Sequence, residues 1–330
     1  MLDVTVLFLE GSHASTSIGP LEVFEAAGSL YPLFTEGEPR PEFRVRTASL
    51  GGRPVRAAGA YAIQPESDVA DVERSDLVFV PSGGADLGLL LERHAALAGF
   101  LRRCYDAGAR IAGVCSGVSL VAASGLLDGR PATTHWGLVD ECRERFPEVD
   151  WRPGELVTEA DGVFCGAGVY ASLDLALYLV GKLTEHRVAV ECSKALLIDM
   201  PRECQAGFAV LPMGGRHDDA AIKQAEAWIH AHCREDTDFE WLARELGMSP
   251  RNFIRRFKAA TGTTPLDYAQ RLRVRAAKQL LEGDRLGVQE VGRAVGYEDA
   301  AFFRALFKRH TGLAPAAYRR RFGASAARTG

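Results

Sequence analysis

The stretch ARIAGVCSGVSLVAASGLL, at positions 109–127, decides the fold of the first part of the chain. Its first seven residues are mostly apolar, which is typical of a short strand buried on both faces of a sheet. The residues after Cys115 have helical spacing, so the stretch predicts a strand that turns sharply into a helix at this cysteine. Such a turn often holds a reactive nucleophile. The first question is therefore whether Cys115 carries out chemistry.

The segments around this stretch repeat the alternation of strand and helix. Apolar or alternating runs predict strands at 4–9, 43–49, 75–84 and 162–168, and helical spacing predicts helices at 20–31, 97–108 and 170–183. Apolar strands that alternate with helices are typical of a largely parallel sheet covered by helices on both faces. The first part of the chain is therefore predicted to be an α/β sandwich.

The composition is that of a globular protein with more than one domain. The chain has 330 residues, 47% of them hydrophobic and 25% charged, and this length is too great for one ordinary core. No apolar run approaches the ~18 residues of a membrane span, and the N-terminus lacks the basic region of a signal peptide. The seven cysteines include no CxxC pair, which argues against a zinc site or a disulfide framework. We therefore expect a cytoplasmic protein without a metal or cofactor.

The charge divides the chain into two parts of opposite sign. Residues 1–215 carry 18 basic and 29 acidic side chains, whereas residues 216–330 carry 21 basic and 14 acidic ones. A basic segment of this size is a candidate for binding nucleic acid. Prolines and glycines concentrate at 201–216, which predicts a linker. We expect one domain at 1–200 and a second, all-helical domain at 217–325.

The C-terminal part contains an internal duplication. The stretch LARELGMSPRNFIRRFKAATGTTPLDY at 242–268 aligns with GRAVGYEDAAFFRALFKRHTGLAPAAY at 292–318. The matches include two phenylalanines, a lysine, a Thr-Gly pair, a proline and a tyrosine in each copy. Each copy is predicted to be a helix, a turn with glycine and a second helix. Ser249 and Asp299 are the natural N-caps of the two second helices.

Cations lie on one face of the second helix in the first copy. Phe253 and Phe257 are four residues apart and share a face, so they are expected to anchor the helix. Arg251, Arg255 and Lys258 lie on another face. A short, anchored helix with outward cations suits the major groove of DNA, where arginine pairs bidentately with guanine. The alternative, a solvated basic face on an ordinary bundle, is disfavoured because the unit occurs twice in a basic domain.

These stretches resemble the AraC-type DNA-binding domain over residues 218–325. The resemblance implies two helix-turn-helix units joined by a central helix at 265–283, with recognition helices in successive major grooves about 34 Å apart. It places Arg251 and Arg255 where the family reads bases. In the second unit we expect contacts with thymine methyl groups and DNA shape, and phosphate contacts from its cations. The residues predicted to bind DNA are Arg251, Asn252, Arg255, Lys258, Ala300, Ala301, Phe302, Arg304 and Lys308.

The first domain resembles the ThiJ/PfpI branch of the class I glutamine-amidotransferase-like superfamily. The similarity lies in GPLEVF at 19–24, VFVPSGGAD at 78–86 and AGVCSGVSLVAASGLLDGRPATTHW at 112–136. It implies a flavodoxin-like sandwich, and such a domain ahead of an AraC-type domain is the layout of GlxA-like transcriptional regulators. The resemblance also implies the class of effector: amino acids, betaines or related nitrogen compounds.

The predicted ligand site lies at the turn that holds Cys115. The N-terminus of the following helix is expected to lower the pKa of the thiol, and the amides of Gly83 and Gly84 could donate to an oxyanion or carboxylate. His135 follows Cys115 by 20 residues, the spacing with which the superfamily brings an imidazole near the thiol. The predicted ligand-binding residues are Thr16, Ile18, Gly83, Gly84, Cys115, Ser116 and His135.

One element of a catalytic site is missing. Catalytic relatives carry an acid four residues before the proline that matches Pro20, and here that residue is Thr16, which cannot act as a carboxylate base. Glu22 lies beyond the proline and is interpreted as a structural or capping-turn charge, with the alternative that it faces the pocket. We therefore expect no catalysis, with Cys115 and His135 as vestigial candidates. Three interpretations of Cys115 stay open: a buried packing residue, a working nucleophile, and a pocket residue or redox-sensitive thiol without turnover.

The sequence thus predicts a regulator that binds double-stranded DNA and senses a small-molecule effector. We expect a homodimer formed through the first domain, contact with RNA polymerase, and no membrane partner. Two alternatives stay open: a cysteine-dependent hydrolase or hydratase localised by its second domain, and a redox sensor that acts through Cys115. His135 has its own alternative, a histidine hydrogen-bonded beneath the TTHW turn instead of contacting a ligand.

Overall fold

The chain divides into two compact units, Met1–Gln205 and Ala206–Gly330, in a computed structural model. The structure describes residues 1–59, 61–199, 205, 217–283 and 286–323. Apart from Gln205, the predicted linker lies outside the described residues, as does the end of the predicted second domain beyond residue 323. Gln205 is buried, and its side-chain amide donates to the Thr134 carbonyl at 2.8 Å, so it packs within the first unit.

The first unit is built on a largely parallel sheet, as the sequence predicts. Its strands within the described residues, in their order across the sheet, are β10 (Val157–Ala160), β11 (Val163–Gly166), β7 (Arg110–Val114), β6 (Leu77–Val80), β1 (Leu2–Leu7), β2 (Phe43–Ser49) and β5 (Ser67–Asp68). Neighbouring strands are parallel except β10 and β11. Two short pairs are β3 (Val55–Arg56) with β4 (Ala62–Ile63) and β8 (Pro131–Ala132) with β9 (Asp150–Trp151). The carboxyl ends of β1, β6 and β7 therefore meet at one edge, where such sheets bind ligands.

Helices cover both faces of this sheet and bury two cores. One face packs against α1 (Ser15–Ala26), α2 (Leu30–Phe34), α7 (Ala171–Leu183) and α8 (His186–Leu196), and the other against α3 (Leu87–Arg93), α4 (Ala96–Asp106), α5 (Gly117–Ala123) and α6 (Val139–Arg145). Alternate strand residues point to opposite faces. Phe79 and Val114 thus lie in the first core, and Val80 and Ile111 in the second.

The first helix differs from its prediction. The spacing predicts a helix over 20–31, but α1 begins at Ser15 and ends at Ala26. Pro20 therefore lies inside α1 and not at its start. The helix begins earlier because the carbonyls of His13 and Ala14 already accept hydrogen bonds from the amides that follow them. A proline within a helix removes a hydrogen bond and strains the preceding turn, and the packing of α1 against the sheet tolerates it.

The second unit is all-helical, as the sequence predicts. Its helices in the described ranges are α9 (Ala220–His232), α10 (Phe239–Glu245), α11 (Pro250–Thr261), α12 (Pro265–Gly283), α13 (Val288–Ala294), α14 (Ala300–Thr311) and α15 (Pro315–Phe322). The pairs α10–α11 and α13–α14 form two helix-turn-helix units, and α12 is the central helix. Side chains of Ser249 and Asp299 cap α11 and α14, which confirms both predicted N-caps. Within the described ranges, no helix combines the length and apolar character needed to cross a lipid bilayer.

Candidate ligand pocket and nucleic-acid interface

Cys115 occupies a sharp turn between β7 and α5, as the sequence predicts. Its φ is +56°, a left-handed conformation that costs a residue other than glycine roughly 1–3 kcal/mol. The Thr134 hydroxyl donates to the Cys115 carbonyl at 2.7 Å and holds the turn from a neighbouring loop. The surrounding structure therefore maintains this strained backbone.

The Cys115 thiol is not activated. The residue is only 6% exposed. Burial raises the pKa of the thiol above its usual value, and hydrogen bonds with Ser82 and the Ser116 backbone lower it by less. The sequence predicts a lowered pKa at this helix N-terminus, whereas the pKa is raised, because a buried thiolate would lose its hydration.

A network of buried hydroxyl groups surrounds the turn. Thr16 accepts a hydrogen bond from the Ser82 amide at 3.1 Å and donates to the His13 carbonyl at 2.7 Å. The Ser116 hydroxyl lies 2.9 Å from that of Ser82 and accepts from the Gly83 amide at 3.0 Å. Thr16, at the position of the missing acid, thus ties the first turn of α1 to the turn after β6. The Gly83 amide, which the sequence predicts as a donor to a ligand, thus already has a protein acceptor in this structure.

His135 makes its contacts away from the thiol. Its Nδ1 accepts from the Gly137 amide at 3.1 Å, and its ring lies against Trp136 with the centroids 5.1 Å apart. Burial lowers the pKa of the imidazole. Within the described part of the chain, no hydrogen bond joins His135 to Cys115. These contacts fit the alternative, a histidine held beneath the TTHW turn.

A cavity of about 660 Å³ opens between the first turns of α1 and α7. Of the predicted ligand residues, Ile18 lines it. The others, Thr16, Gly83, Gly84, Cys115, Ser116 and His135, are not among its described lining residues. The cavity is lined by His13, Ala14, Ser15, Ile18, Gly19, Glu22, Val23, Ala58, Tyr61, Tyr170, Leu173, Leu196 and Ile198.

The cavity combines a carboxylate with aromatic rings. Glu22 is the one acidic side chain among the described lining residues, which include no lysine or arginine. Tyr61 and Tyr170 are 67% and 68% exposed. Aromatic faces beside a carboxylate suit an organic cation. Neither tyrosine is predicted from the sequence as a ligand residue, and Glu22 is not among the predicted ones. The four-residue spacing of Ile18 and Glu22, which places both on one face of a helix, is the signal that could have included Glu22.

α11 presents cations on the side opposite its buried anchors. Phe253 and Phe257 are fully buried, as the sequence predicts. The guanidinium of Arg255 donates to Asn252 Oδ1 at 2.9 Å, so the two polar groups are presented together. Paired donors and acceptors of this kind suit the edge of a base. The predicted cations that are exposed on α11 are Arg251, Arg255 and Lys258.

Arg256 is bound within the protein, unlike the cation beside it. Its guanidinium donates to both carboxylate oxygens of Asp219, at 3.0 and 2.7 Å. Asp219 also accepts from the Ile222 amide at 3.2 Å and so caps α9. The ion pair therefore joins α11 to the start of α9. The sequence alone does not distinguish Arg256 from Arg255, because the partner lies 37 residues away.

α14 presents an aromatic ring where α11 presents polar groups. Asp299 accepts hydrogen bonds from the amides of Ala301 and Phe302, at 2.7 and 3.2 Å. The Phe302 side chain is 49% exposed, and its ring lies 5.7 Å from that of Tyr297. The first turn of α14 therefore offers an apolar surface. The other predicted DNA-binding residues of this helix are the half-buried Ala300 and the exposed Ala301, Arg304 and Lys308.

Two family models match the chain. The model of the DJ-1/PfpI family matches residues 3–182, which is more than half of the chain and includes the parallel sheet. The model of a helix-turn-helix domain matches residues 242–321, which run from α10 to α15. The two matches therefore fall on the two units separately.

Named relatives and solved structures are similar to the chain. The HTH-type transcriptional regulator GlxA of Rhizobium meliloti is 30% identical over 291 residues, 86% of this chain and 87% of the relative. The HTH-type transcriptional regulator CdhR of Pseudomonas aeruginosa is 27% identical over 276 residues, 83% of this chain and 80% of the relative. A THiJ/PfpI family protein from Pseudomonas syringae has a TM-score of 0.52 at 23% identity, over 63% of this chain and 79% of its own. An AraC family transcriptional regulator from Pseudomonas putida has a TM-score of 0.51 at 19% identity, over 59% of this chain and 100% of its own. These two solved structures show similarity of fold alone.

Proposed function

Because the chain belongs to the DJ-1/PfpI family and carries a C-terminal helix-turn-helix domain of the AraC type, we propose that it is a sequence-specific, DNA-binding transcriptional regulator. The observation that carries this proposal is that α11 and α14 repeat one arrangement of cap and buried rings, which we call the frame. α11 and α14 are each capped by a side chain, anchored by two buried phenylalanines and cationic on the exposed side. An ordinary helical bundle has no need for two such units, whereas DNA offers two successive major grooves.

The two recognition helices are proposed to read DNA in different ways. Arg251, Asn252 and Arg255 reach base edges, and Lys258 contacts phosphate. On α14 the apolar surface around Phe302 contacts thymine methyl groups and responds to groove shape. The phosphate contacts there come from Arg304 and Lys308, which lie farther along the helix.

A selection from random duplex DNA tests this function. The full-length protein is expected to enrich a bipartite site whose halves lie about one helical turn apart. A double variant, Arg251→Ala with Arg255→Ala, keeps both buried anchors and is expected to lose the enrichment at the first half. Equal binding of all duplexes by the wild-type protein would contradict sequence-specific reading.

We infer that the first unit senses an amino acid, a betaine or a related nitrogen compound. The cavity between α1 and α7 supports this inference, since Glu22 offers a negative charge and Tyr61 and Tyr170 offer aromatic faces to a cationic group. Its volume of about 660 Å³ suits a small ligand. Ligand binding is proposed to bias a conformational equilibrium of the protein and thereby its affinity for DNA.

Calorimetric titration with amino acids and betaines tests the sensor. Glu22→Gln removes the charge of the cavity at nearly constant shape and is expected to weaken binding of a cationic ligand at least about tenfold. Glu25→Gln on the same helix is the matched control, because Glu25 is exposed like Glu22 but is not among the described residues of the cavity. Unchanged binding in Glu22→Gln would place the ligand elsewhere.

We also propose that the first unit does not catalyse a reaction. The buried thiol of raised pKa, the separate contacts of His135 and the neutral Thr16 support this proposal. The strained φ of Cys115 favours the alternative, a cysteine-dependent hydrolase or hydratase, because nucleophile turns store such strain. Turnover of amide, ester or glyoxal-type substrates that Cys115→Ala abolishes would overturn the proposal. Peroxide-sensitive DNA binding that Cys115→Ala abolishes would indicate a redox sensor.

A further inference from the structure

Arg273, on α12, contacts backbone from both helix-turn-helix regions. Its guanidinium donates to the carbonyls of Cys233 and Glu235, the latter at 2.6 Å. It also donates to the Gly296 carbonyl at 3.2 Å, and it lies 4.9 Å from the centre of the Tyr297 ring. One side chain therefore joins two segments that are far apart in the sequence.

One of these segments leads into the first helix-turn-helix unit, and the other is the turn inside the second unit. Cys233 directly follows α9, and Glu235 lies in the connection to α10. Gly296 and Tyr297 form the turn between α13 and α14. Carbonyls that follow a helix carry partial negative charge, which a guanidinium stabilises.

The same two segments also touch directly. Gly296 has φ of +89°, and a Cβ atom built on it would lie 2.3 Å from the Arg234 carbonyl oxygen. Glycine is therefore required for the two backbones to approach this closely. The Arg273 contacts thus belong to a close backbone approach and not to a loose surface contact.

Each helix-turn-helix unit has its own core in the described residues. The cluster around Phe253 and Phe257 extends along α12 as far as Leu272. The cluster around Phe303 begins on the same helix at Val274. Because the cores are separate, the relative position of the units depends on α12 and on contacts that cross between them. Arg273 lies between the end of one core and the start of the other.

We propose that Arg273 is a positioning residue that sets the separation and angle of α11 and α14, and thereby the half-site spacing that the protein accepts. The proposal rests on the DNA-binding function proposed above. The planar fork of arginine reaches several acceptors at once, which the point charge of lysine does not. A second contact crosses between the units, since Arg309 donates to Gln270 at 2.8 Å. Loss of Arg273 therefore loosens the two units without separating them.

The test combines selection from random duplex DNA with mobility shifts on the full-length protein. The selected site is compared with versions in which one base pair is added or removed between the half-sites. The wild-type protein is expected to prefer one spacing. In Arg273→Met and Arg273→Lys this preference falls by about tenfold, while affinity for an isolated first half-site is unchanged. Arg275→Met, an exposed position on the same helix, is the control and keeps the preference.

Two outcomes would count against the proposal. A folded Arg273→Met variant that keeps the wild-type spacing preference overturns it, as does an equal loss in Arg275→Met. If thermal unfolding shows that Arg273→Met does not fold, Arg273→Lys decides, because it keeps the charge and the aliphatic stem. A wild-type protein that enriches no sequence would instead overturn the DNA-binding function, so the two failures are distinguishable.

Discussion

The two helix-turn-helix units share a buried frame and differ in the surface that this frame presents. The rings of Phe257 and Tyr268 lie 5.3 Å apart at an angle of 82°, and those of Phe307 and Tyr318 have the same distance and angle. α11 carries exposed arginines from its first turn onward, whereas the first turn of α14 carries alanines and an exposed phenylalanine and its exposed cations lie farther along. Packing thus holds the frame constant in both copies, while the solvent-facing positions are free to diverge.

Polar contacts of the first unit also have apolar counterparts in the second. Arg256, which pairs with Asp219, corresponds in the repeat to the buried Leu306. Asp267, which forms an ion pair within α12, corresponds to Ala317. The second copy therefore keeps the same buried frame without these two ion pairs. Loss of the Asp267 charge should accordingly affect stability through contacts that the corresponding Ala317 does not make.

Loss of a buried ring tests whether the two frames are equivalent. Phe253→Ala and Phe303→Ala are each expected to destabilise the protein by about 3–5 kcal/mol, because both rings are fully buried and their removal leaves a cavity. Urea unfolding measures the cost, and Ile254→Ala, at an exposed position of α11, is the control. The frames are not equivalent if one ring is far less costly than the other.

Removal of one arginine from each recognition helix sharpens the contrast in reading. Arg255→Ala is expected to weaken DNA binding by about 1–3 kcal/mol and to relax one base position, because its guanidinium is presented for a base edge. Arg304→Ala is expected to weaken binding to all sequences alike and to reduce the salt dependence, as loss of a phosphate contact does. Gel-shift series on single-base variants measure both. If Arg255→Ala weakened binding to all duplexes equally, Arg255 would contact phosphate and not a base.

Substitution of the glycines that end the recognition helices tests the same equivalence with a smaller expected loss of stability. Gly262 and Gly312 have φ of +75° and +72°, a conformation in which an alanine costs about 1–2 kcal/mol. Gly262→Ala and Gly312→Ala are therefore expected to lower stability by similar amounts in thermal unfolding. Gly283→Ala, at the end of α12, is the comparison, since a Cβ there meets open space and its φ is not positive. A marked difference between the two cap variants would break the equivalence of the frames.

A pH dependence of stability is expected from Asp267, on α12. Burial raises the pKa of Asp267, but a hydrogen bond from the Thr263 hydroxyl and the charges of Arg271 and His310 together outweigh burial and hold the pKa below its ordinary value of 3.8. A carboxyl with a lowered pKa stabilises the folded state above 3.8 and loses that contribution as the pH falls through its folded-state pKa. Asp267→Asn should thus be less stable than the wild type at neutral pH, and the difference should shrink in acid.

Thermal unfolding of the wild type and Asp267→Asn between about pH 7 and pH 2 measures this difference. Thr263→Val is the control, because it removes one donor to the carboxylate and is expected to give part of the effect. A difference between wild type and variant that does not change with pH would show that Asp267 contributes by packing and not by charge.

The order of elements in both units is predictable because it follows from local patterns. The apolar run before Cys115 is compatible with a buried strand, and Ser249 and Asp299 cap helices through amides two or three residues away. The start of the first helix is not predictable in the same way. Pro20 predicts a helix start by local preference, but α1 begins at Ser15, where the carbonyls of His13 and Ala14 already accept hydrogen bonds from the amides that follow them.

The sequence by itself determined that the chain has an α/β unit with a sharp turn at Cys115 and a helical unit built from two copies of one motif. Only the tertiary structure decided which side chains are available for function. It buries the Cys115 thiol, uses the Gly83 amide within the protein and places Glu22 in a cavity. The physical reason is that backbone preferences and hydrophobic periodicity act between near neighbours. Burial and the pairing of polar groups depend instead on segments that meet only when the chain has folded.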